Sequence, residues 1–251
     1  MKGIITIDNG NTTVKVAYFD GSRPMASNRF RREDIMVLER FLSTFQPSGA
    51  IVCSTASEKD TEPIERYVRA RCQHLMRLTH ETPLPITLGY ATPHTLGRDR
   101  IATAVGAWTH LKGQADVLVI DAGTAITYDL VTANGHFKGG NIAPGMALRF
   151  QALHEHTGRL PLVSHEGNLP VIGYDTETAI RSGVMLGLIG EIKSYIALLQ
   201  IEHPDLKVFL TGGDAQLLLP HLEHLEVEYQ EHLAAEGLNR IYLYNQENGT
   251  I

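Results

Sequence analysis

Three short runs in this chain combine glycine, a carboxylate and small hydroxyl or amide side chains. They are Asp8-Asn9-Gly10-Asn11-Thr12-Thr13, Asp121-Ala122-Gly123-Thr124 and Thr211-Gly212-Gly213-Asp214. Each follows a short apolar, strand-like run. Glycine lets backbone N–H groups approach an anion and point at it, and the neighbouring hydroxyls and amides add donors. The carboxylates cannot bind phosphate directly, but they can hold a metal ion that does. Taken singly, each run reads as an ordinary tight turn. Taken together, with an aspartate opening the first two and Lys15 following the first, they read as two phosphate-binding hairpins across a nucleotide cleft. The third loop is left for the remaining part of the nucleotide.

Other chemistry is less well supported. Among the 12 histidines, His154 and His156 stand two apart, on different faces of a helix. His221 and His224 have usable spacing but lack a Cys or carboxylate partner in a zinc pattern. Cys53 and Cys72 are too few for a disulfide framework, and Cys53 reads as a buried strand residue. Asp99 in Arg98-Asp99-Arg100, met alone, reads as a surface ion pair. A net charge of −6 argues against a module that binds nucleic acid by neutralising phosphates. The densest basic run, Arg29, Arg31 and Arg32, meets Glu33 and Asp34 at once and reads as a solvated face. The longest apolar stretch, residues 184–189, is far short of the roughly 20 that span a bilayer. Residues 1–7 are strand-like and reach Asp8 with no room for the apolar core of a signal peptide. No membrane partner and a cytoplasmic location are therefore expected.

The elements that must position these residues follow from periodicity. Residues 3–7 and 14–19 are β-rich runs around a turn-forming segment, which predicts a hairpin. Helical spacing marks residues 33–45, 58–71 and 101–111, with a strand at 50–53 between the first two. The proline-bearing stretch 79–93 must be extended or looped. The opening pattern then returns: strand 117–120, turn, strand 125–131, with Asp121-x-Gly123-Thr124 in the place of Asp8-x-Gly10-Asn11. This echo predicts two similarly built halves, residues 1–112 and 113–251, divided near Gly113. Later come helices at 146–156 and within 176–200, and a strand at 208–210 leading into the third glycine turn. Gly183, Gly187 and Gly190 read as a stripe for close helix packing in a soluble core.

The run Ile7-Asp8-Asn9-Gly10-Asn11-Thr12-Thr13-Val14-Lys15 resembles the first phosphate motif of the type III pantothenate kinases. Gly97-Arg98-Asp99-Arg100, Asp121-Ala122-Gly123-Thr124 with Thr127, and Gly139-Gly140-Asn141-Ile142-Ala143-Pro144-Gly145 match that family's successive signatures. So do Leu153, Thr157, Leu160-Pro161, Gly173-x-x-Thr176, Ser182-Gly183, Gly237-Leu238 and Asn245. Any one motif is weak; the ordered set, covering nearly the whole chain, is specific. The resemblance implies an α/β chain of two ribonuclease-H-like domains with a nucleotide cleft between them, the actin-like ATPase architecture. It implies transfer of the γ-phosphoryl group of ATP to the primary hydroxyl of pantothenate, the first step toward coenzyme A. It also implies a homodimer, magnesium with the ATP, and a monovalent cation such as potassium or ammonium.

Residue roles come with it. Asp8, Asn9, Gly10, Asn11, Thr12, Thr13, Val14 and Lys15 would cradle the ATP phosphates, with Asp8 holding magnesium through water. Asp99 would be the general base toward the pantothenate hydroxyl. Arg100 would bind the pantothenate carboxylate, with Tyr90, Gly97, Arg98 and Asp99 lining the same substrate site. Asp121 would hold the monovalent cation and Thr124 would contact ATP. Thr176 would reach the substrate from the neighbouring subunit, so that the dimer completes the site. Asn9 replaces the apolar residue usual after the first aspartate, which predicts a wetter turn. Two other readings are a non-catalytic accessory regulator of transcription and a kinase of the same fold for another small alcohol. Intact Asp99 and Arg100 oppose the first, and the Gly97 to Arg100 motif the second.

Overall fold

The computed structural model describes residues 3–10 and 12–251, which fold as two compact units. The first comprises residues up to 114, residues 131–139 and residues 232–251; the second comprises 115–130 and 140–231.

In the first unit, β1 (Ile4–Asn9) and β2 (Val14–Asp20) form the expected hairpin, with Asp8 opposite Lys15 and Asn9 opposite Val14. β3 (Arg23–Phe30) adds an antiparallel edge, while β4 (Gly49–Ser54) and β5 (His74–Arg77) continue the sheet in parallel on the other side. The order is β3-β2-β1-β4-β5. Ile5 and Ile7 face a core built with Leu38 and Leu42 of α1 (Met36–Phe45) and Ile64 and Val68 of α2 (Glu58–Arg69). Because side chains alternate along a strand, Asp8 points to the opposite face. That face is covered by α3 (Arg98–His110) and the C-terminal α7 (Leu233–Glu247). These two helices touch backbone to backbone. A Cβ on Gly106 would lie 2.1 Å from the Leu233 carbonyl oxygen, and one on Gly237 would lie 1.8 Å from that of Ala102. The alanine-rich sequence of α3 is thus the consequence of being buried on nearly every side. β6 (Thr87–Leu88) pairs in parallel with His136 and Phe137 at the start of β9 (His136–Pro144).

The second unit repeats the plan. β7 (Val117–Ala122), β8 (Ala125–Val131) and β9 run in sequence, and β10 (Lys207–Thr211) and β11 (Val227–Tyr229) add in parallel beyond β7. The order β9-β8-β7-β10-β11 is that of the first sheet with the strands renumbered. The repeated acidic turn in the sequence therefore reflects a repeated topology. α4 (Met146–Glu155), α5 (Thr176–Glu202) and the short α6 (Ala215–Leu218) complete the unit.

Residues 176–202 form one helix, opened by a capping box in which Asp175 and Thr178 satisfy each other's backbone N–H groups. Its Ile180, Val184, Leu188, Ile192 and Ile196 enter the core of this unit. By length and composition α5 could also cross a membrane, with a mean hydropathy of 1.5 over 18 residues. Glu191 within it accepts hydrogen bonds from Tyr128 (2.8 Å) and Arg149 (2.7 Å), which ties β8, α4 and α5 together. The glycine stripe differs from expectation. A Cβ at Gly183, Gly187 or Gly190 would meet nothing within 4 Å, so these glycines make no close helix packing within the chain.

Candidate active site

The first unit carries both Asp8 and Asp99. Asp8 ends the apolar run of β1, and its side chain is only 14% exposed. Lys15, its cross-strand neighbour, brings Nζ to 3.9 Å from Oδ2, whereas the buried Oδ1 has no hydrogen-bond partner among the described residues. Burial pushes the Asp8 carboxyl up to about 6; Lys15 pulls it down, and the charge of Asp99 raises it further. Asp99 therefore stands within electrostatic reach of Asp8. It sits in the first turn of α3, where Oδ1 accepts from the Arg100 N–H at 2.9 Å and the helix N-terminus favours an anion. A Cβ at Gly97 would come within 2.4 Å of Asp99 Oδ1, so the glycine leaves the space that this carboxylate occupies. Cys53 pairs with Asp8 across β1 and β4 and is fully buried. Burial first, then Asp8 and Asp99, raise its thiol well above the usual range, and it stays protonated.

Arg100 is buried, with its guanidinium 5.6 Å from the Tyr90 ring centre and 5.9 Å from that of Phe137. Both rings lie within cation–π range of the charge. Phe137 had no signal in the sequence beyond a β-favouring type; only the β6–β9 pairing brings it beside Tyr90. Arg98 turns back along the chain. It donates to the carbonyls of Pro93 (3.3 Å), His94 (3.2 Å) and Leu96, and so closes the loop before α3.

Around the first turn, Thr12 is exposed, Thr13 is half-buried and the Val14 side chain lies in the core, leaving only its backbone for a ligand. Asn11 lies outside the described residues. Two expectations are corrected. Asn9 is fully buried rather than wet, since Nδ2 donates to Ser54 Oγ (3.1 Å) and Thr61 Oγ1 (3.3 Å). Arg32 is no free surface charge either, because Nε donates to Asn9 Oδ1 at 3.2 Å and Nη2 to the Gly10 carbonyl at 2.6 Å.

In the second unit, Asp121 is half-buried at the matching turn and Thr124 is exposed. The third glycine loop lies beside this hairpin. Asp121 pairs with Thr211, the Asp214 N–H donates to the Ala122 carbonyl at 2.9 Å, and a Cβ on Gly212 would fall 2.5 Å from Asp121 Oδ1. Gly145 docks on the same turn, donating to the Thr124 carbonyl at 3.0 Å. Thr176 is exposed in the first turn of α5. Among the described residues no group of three or more His, Cys, Asp or Glu could hold a metal. The unpartnered Asp8 oxygen nevertheless suits magnesium, which is held by one or two carboxylates plus substrate phosphates rather than by a protein cage.

Solved structures with this arrangement share the fold at low identity. A Campylobacter jejuni protein described as a Baf family transcriptional activator superposes with a TM-score of 0.63 at 23% identity, covering 98% of this chain and 100% of its own. The activator of 2-hydroxyisocaproyl-CoA dehydratase from Clostridium difficile, solved with bound ADPNP, gives 0.55 at 12% identity, covering 99% and 98%. With its two sheets of one topology, the chain is thus of the actin-like ATPase and sugar kinase fold. The family model for type III pantothenate kinases matches residues 4–198. Type III pantothenate kinases of Bacteroides fragilis and Azobacteroides pseudotrichonymphae are 42% and 41% identical, covering 98% and 97% of this chain and 99% and 97% of their own. The chain belongs to the type III pantothenate kinase family, whose reaction is ATP-dependent phosphorylation of pantothenate in coenzyme A biosynthesis.

Proposed function

We propose that this chain performs that reaction through Asp8, Lys15, Asp99 and Arg100. The observation that carries the reading is Asp8: a buried carboxylate with one oxygen unpartnered, a lysine beside it and a second aspartate in its field. Lys15 offsets only part of the cost of burying this charge, and Oδ1 has no hydrogen-bond partner among the described residues, which suits a cation ligand. Magnesium held there, through water, would neutralise charge on the phosphates. Lys15 and the donors of Gly10, Thr12 and Thr13 would meet the remaining charge of the triphosphate.

Asp99 is read as the general base that accepts the hydroxyl proton of pantothenate as it attacks. Its place at the start of α3, with Gly97 leaving room, keeps one oxygen on the Arg100 N–H. Arg100 is read as the partner of the pantothenate carboxylate, its charge held beside the Tyr90 and Phe137 rings. Asp121 offers hard oxygen ligands for potassium or ammonium, and Thr124 a hydroxyl for ATP. We read the two compact units as the two ribonuclease-H-like halves, each supplying one acidic hairpin, with residues 131–139 and 232–251 of the expected second half, 113–251, returning to the first unit.

The homodimer reading draws support from α5. Leu198 and Ile201 are 62% and 76% exposed, Val171 and Ile172 more than 80%, and the glycine stripe is open. A second copy covering this region would bury them and bring Thr176 toward its neighbour's substrate. A cytoplasmic location accords with that metabolic role. The test is ADP release on mixing the chain with ATP, magnesium, pantothenate and potassium or ammonium. Release must require pantothenate, and Asp99→Asn should retain ATP binding while losing most turnover. Undiminished turnover would remove Asp99 from the mechanism.

A further inference from the structure

The tip of the first hairpin is held by side chains that the reaction above does not use. Asn9 closes β1 as a fully buried amide, and its hydrogen-bonding capacity is spent within the protein. Both Nδ2 bonds go to Ser54 and Thr61, whose hydroxyls are themselves 2.7 Å apart. Oδ1 accepts from Arg32, which also reaches the Gly10 carbonyl. On its far side the same guanidinium brings Nη1 to 3.8 Å from Asp60 Oδ2, and that oxygen accepts from Ser57 Oγ, the N-cap of α2, at 2.6 Å. The ring closes through α2, because Thr61 Oγ1 donates to the Ser57 carbonyl at 2.9 Å. The other limb of the turn is braced too, by Arg29 Nε on Thr13 Oγ1 at 3.1 Å.

A turn that cradles phosphates must hold its shape although glycine gives its backbone freedom. Tying the carbonyl of Gly10 to a three-quarters buried guanidinium removes that freedom at the residue where it is greatest. Arg32 also has its Nε and Nη2 committed to protein acceptors and its Nη1 facing a carboxylate.

We propose that Arg32 is a positioning residue for phosphoryl transfer, locking the turn that follows Asp8 through Asn9 and Gly10 into the shape that receives ATP. The inference rests on the reading of this hairpin as the phosphate site. Misplacing reacting groups by about 1 Å can lower rates by about a hundredfold. Arg32→Ala should therefore lower kcat/KM for ATP by about ten- to a hundredfold while leaving KM for pantothenate within about twofold. Arg32→Lys should rescue little, since an ammonium cannot make the two-pronged contact to Asn9 and Gly10. The assay is steady-state kinetics on the full chain, varying ATP and pantothenate in turn, beside melting temperatures and the references Lys15→Ala and Asp8→Asn. The proposal is overturned if Arg32→Ala matches the unsubstituted chain, if KM for pantothenate rises as much as KM for ATP, or if Arg32→Lys restores activity, which would make Arg32 a direct charge on the phosphates. Should Arg32→Ala not fold, the same ratios are read on Arg32→Gln. If Lys15→Ala and Asp8→Asn leave ATP kinetics unchanged, the hairpin is not the phosphate site and the underlying reading falls as well. Impaired references with silent Arg32 variants sink the present inference alone.

Discussion

Replacing Asp8 with asparagine should stabilise the protein while it abolishes catalysis, and the stabilisation should depend on pH in a stated direction. The carboxyl is pushed up to about 6 from 3.8, chiefly by burial. The native state therefore holds this proton more tightly than the unfolded chain does. Between those two values the native state binds more protons than the unfolded one, so stability falls as pH rises and levels off above about pH 7. At about 1.4 kcal/mol per unit, this shift costs about 3 kcal/mol at pH 8 and about half as much at pH 5. With a side chain only 14% exposed, little of this is screened by solvent. Asparagine has nearly the same shape and carries no charge, so it should recover most of the loss.

For a chain of this length about 1 kcal/mol moves the melting temperature by about 2–4 °C. Asp8→Asn should thus melt about 6–12 °C higher at pH 8, and the advantage should shrink by about half at pH 5. The assay is thermal unfolding of both proteins without magnesium or nucleotide across that range. A variant no more stable at pH 8, or equally advantaged at both pH values, would refute the picture of a buried carboxylate lacking a cation. Magnesium with ATP should then raise the melting point of the unsubstituted chain and leave the variant unmoved, because only the former binds the pair.

Two glycines give further tests. Gly97 has φ −56° and ψ 132°, which alanine adopts freely, so Gly97→Ala should fold and melt normally. The added methyl would meet Asp99 Oδ1 at 2.4 Å and rotate the carboxylate away, lowering kcat by about a hundredfold with ATP affinity kept; unchanged turnover would show that this orientation of Asp99 is not used. At Gly237 the obstacle is backbone. A methyl 1.8 Å from the Ala102 carbonyl oxygen forces α3 and α7 apart, so Gly237→Ala should cost about 3 kcal/mol or more. An unshifted unfolding curve would contradict the helix contact.

Much of this was readable in advance because the chain states it locally. The β1–β2 hairpin follows from β-branched runs around turn residues, and its echo at Asp121 proves to be the matching hairpin of a second sheet, whose strand order only the structure gives. What escaped notice is what long-range contact alone decides. β3, Arg23–Phe30, is an exposed edge with a single buried residue, so no alternation marks it as a strand. β9 carries two glycines and takes its place from its neighbours in the sheet. α7 has helical spacing, but nothing local says that it returns to the first unit to cover α3. The open glycines of α5 mislead for a related reason. A small residue permits close approach by a partner without saying whether that partner is in the same chain.

Asn9 carries the sharpest form of the lesson. A polar residue at the end of an apolar strand breaks the local pattern, and broken local rules concentrate where function needs them. Read alone, it implied water. In the fold it is dry, because Ser54 and Thr61 arrive from the parallel neighbour strand and the helix after it, and Arg32 arrives from the turn beyond the edge strand. None of these three is near it in sequence, so its hydration could not be judged from its neighbours. A half-satisfied buried amide would weaken the hairpin; a fully satisfied one stiffens it. The same argument explains why the arginine run read as solvent-facing. Its charge was weighed against the adjacent Glu33 and Asp34, whereas the acceptors that matter, Asn9 Oδ1 and the Gly10 carbonyl, lie more than twenty residues earlier. The stiff Asn9 and the ill-solvated Asp8 sit side by side on one strand end: one fixes the shape of the turn, the other keeps it in need of a cation.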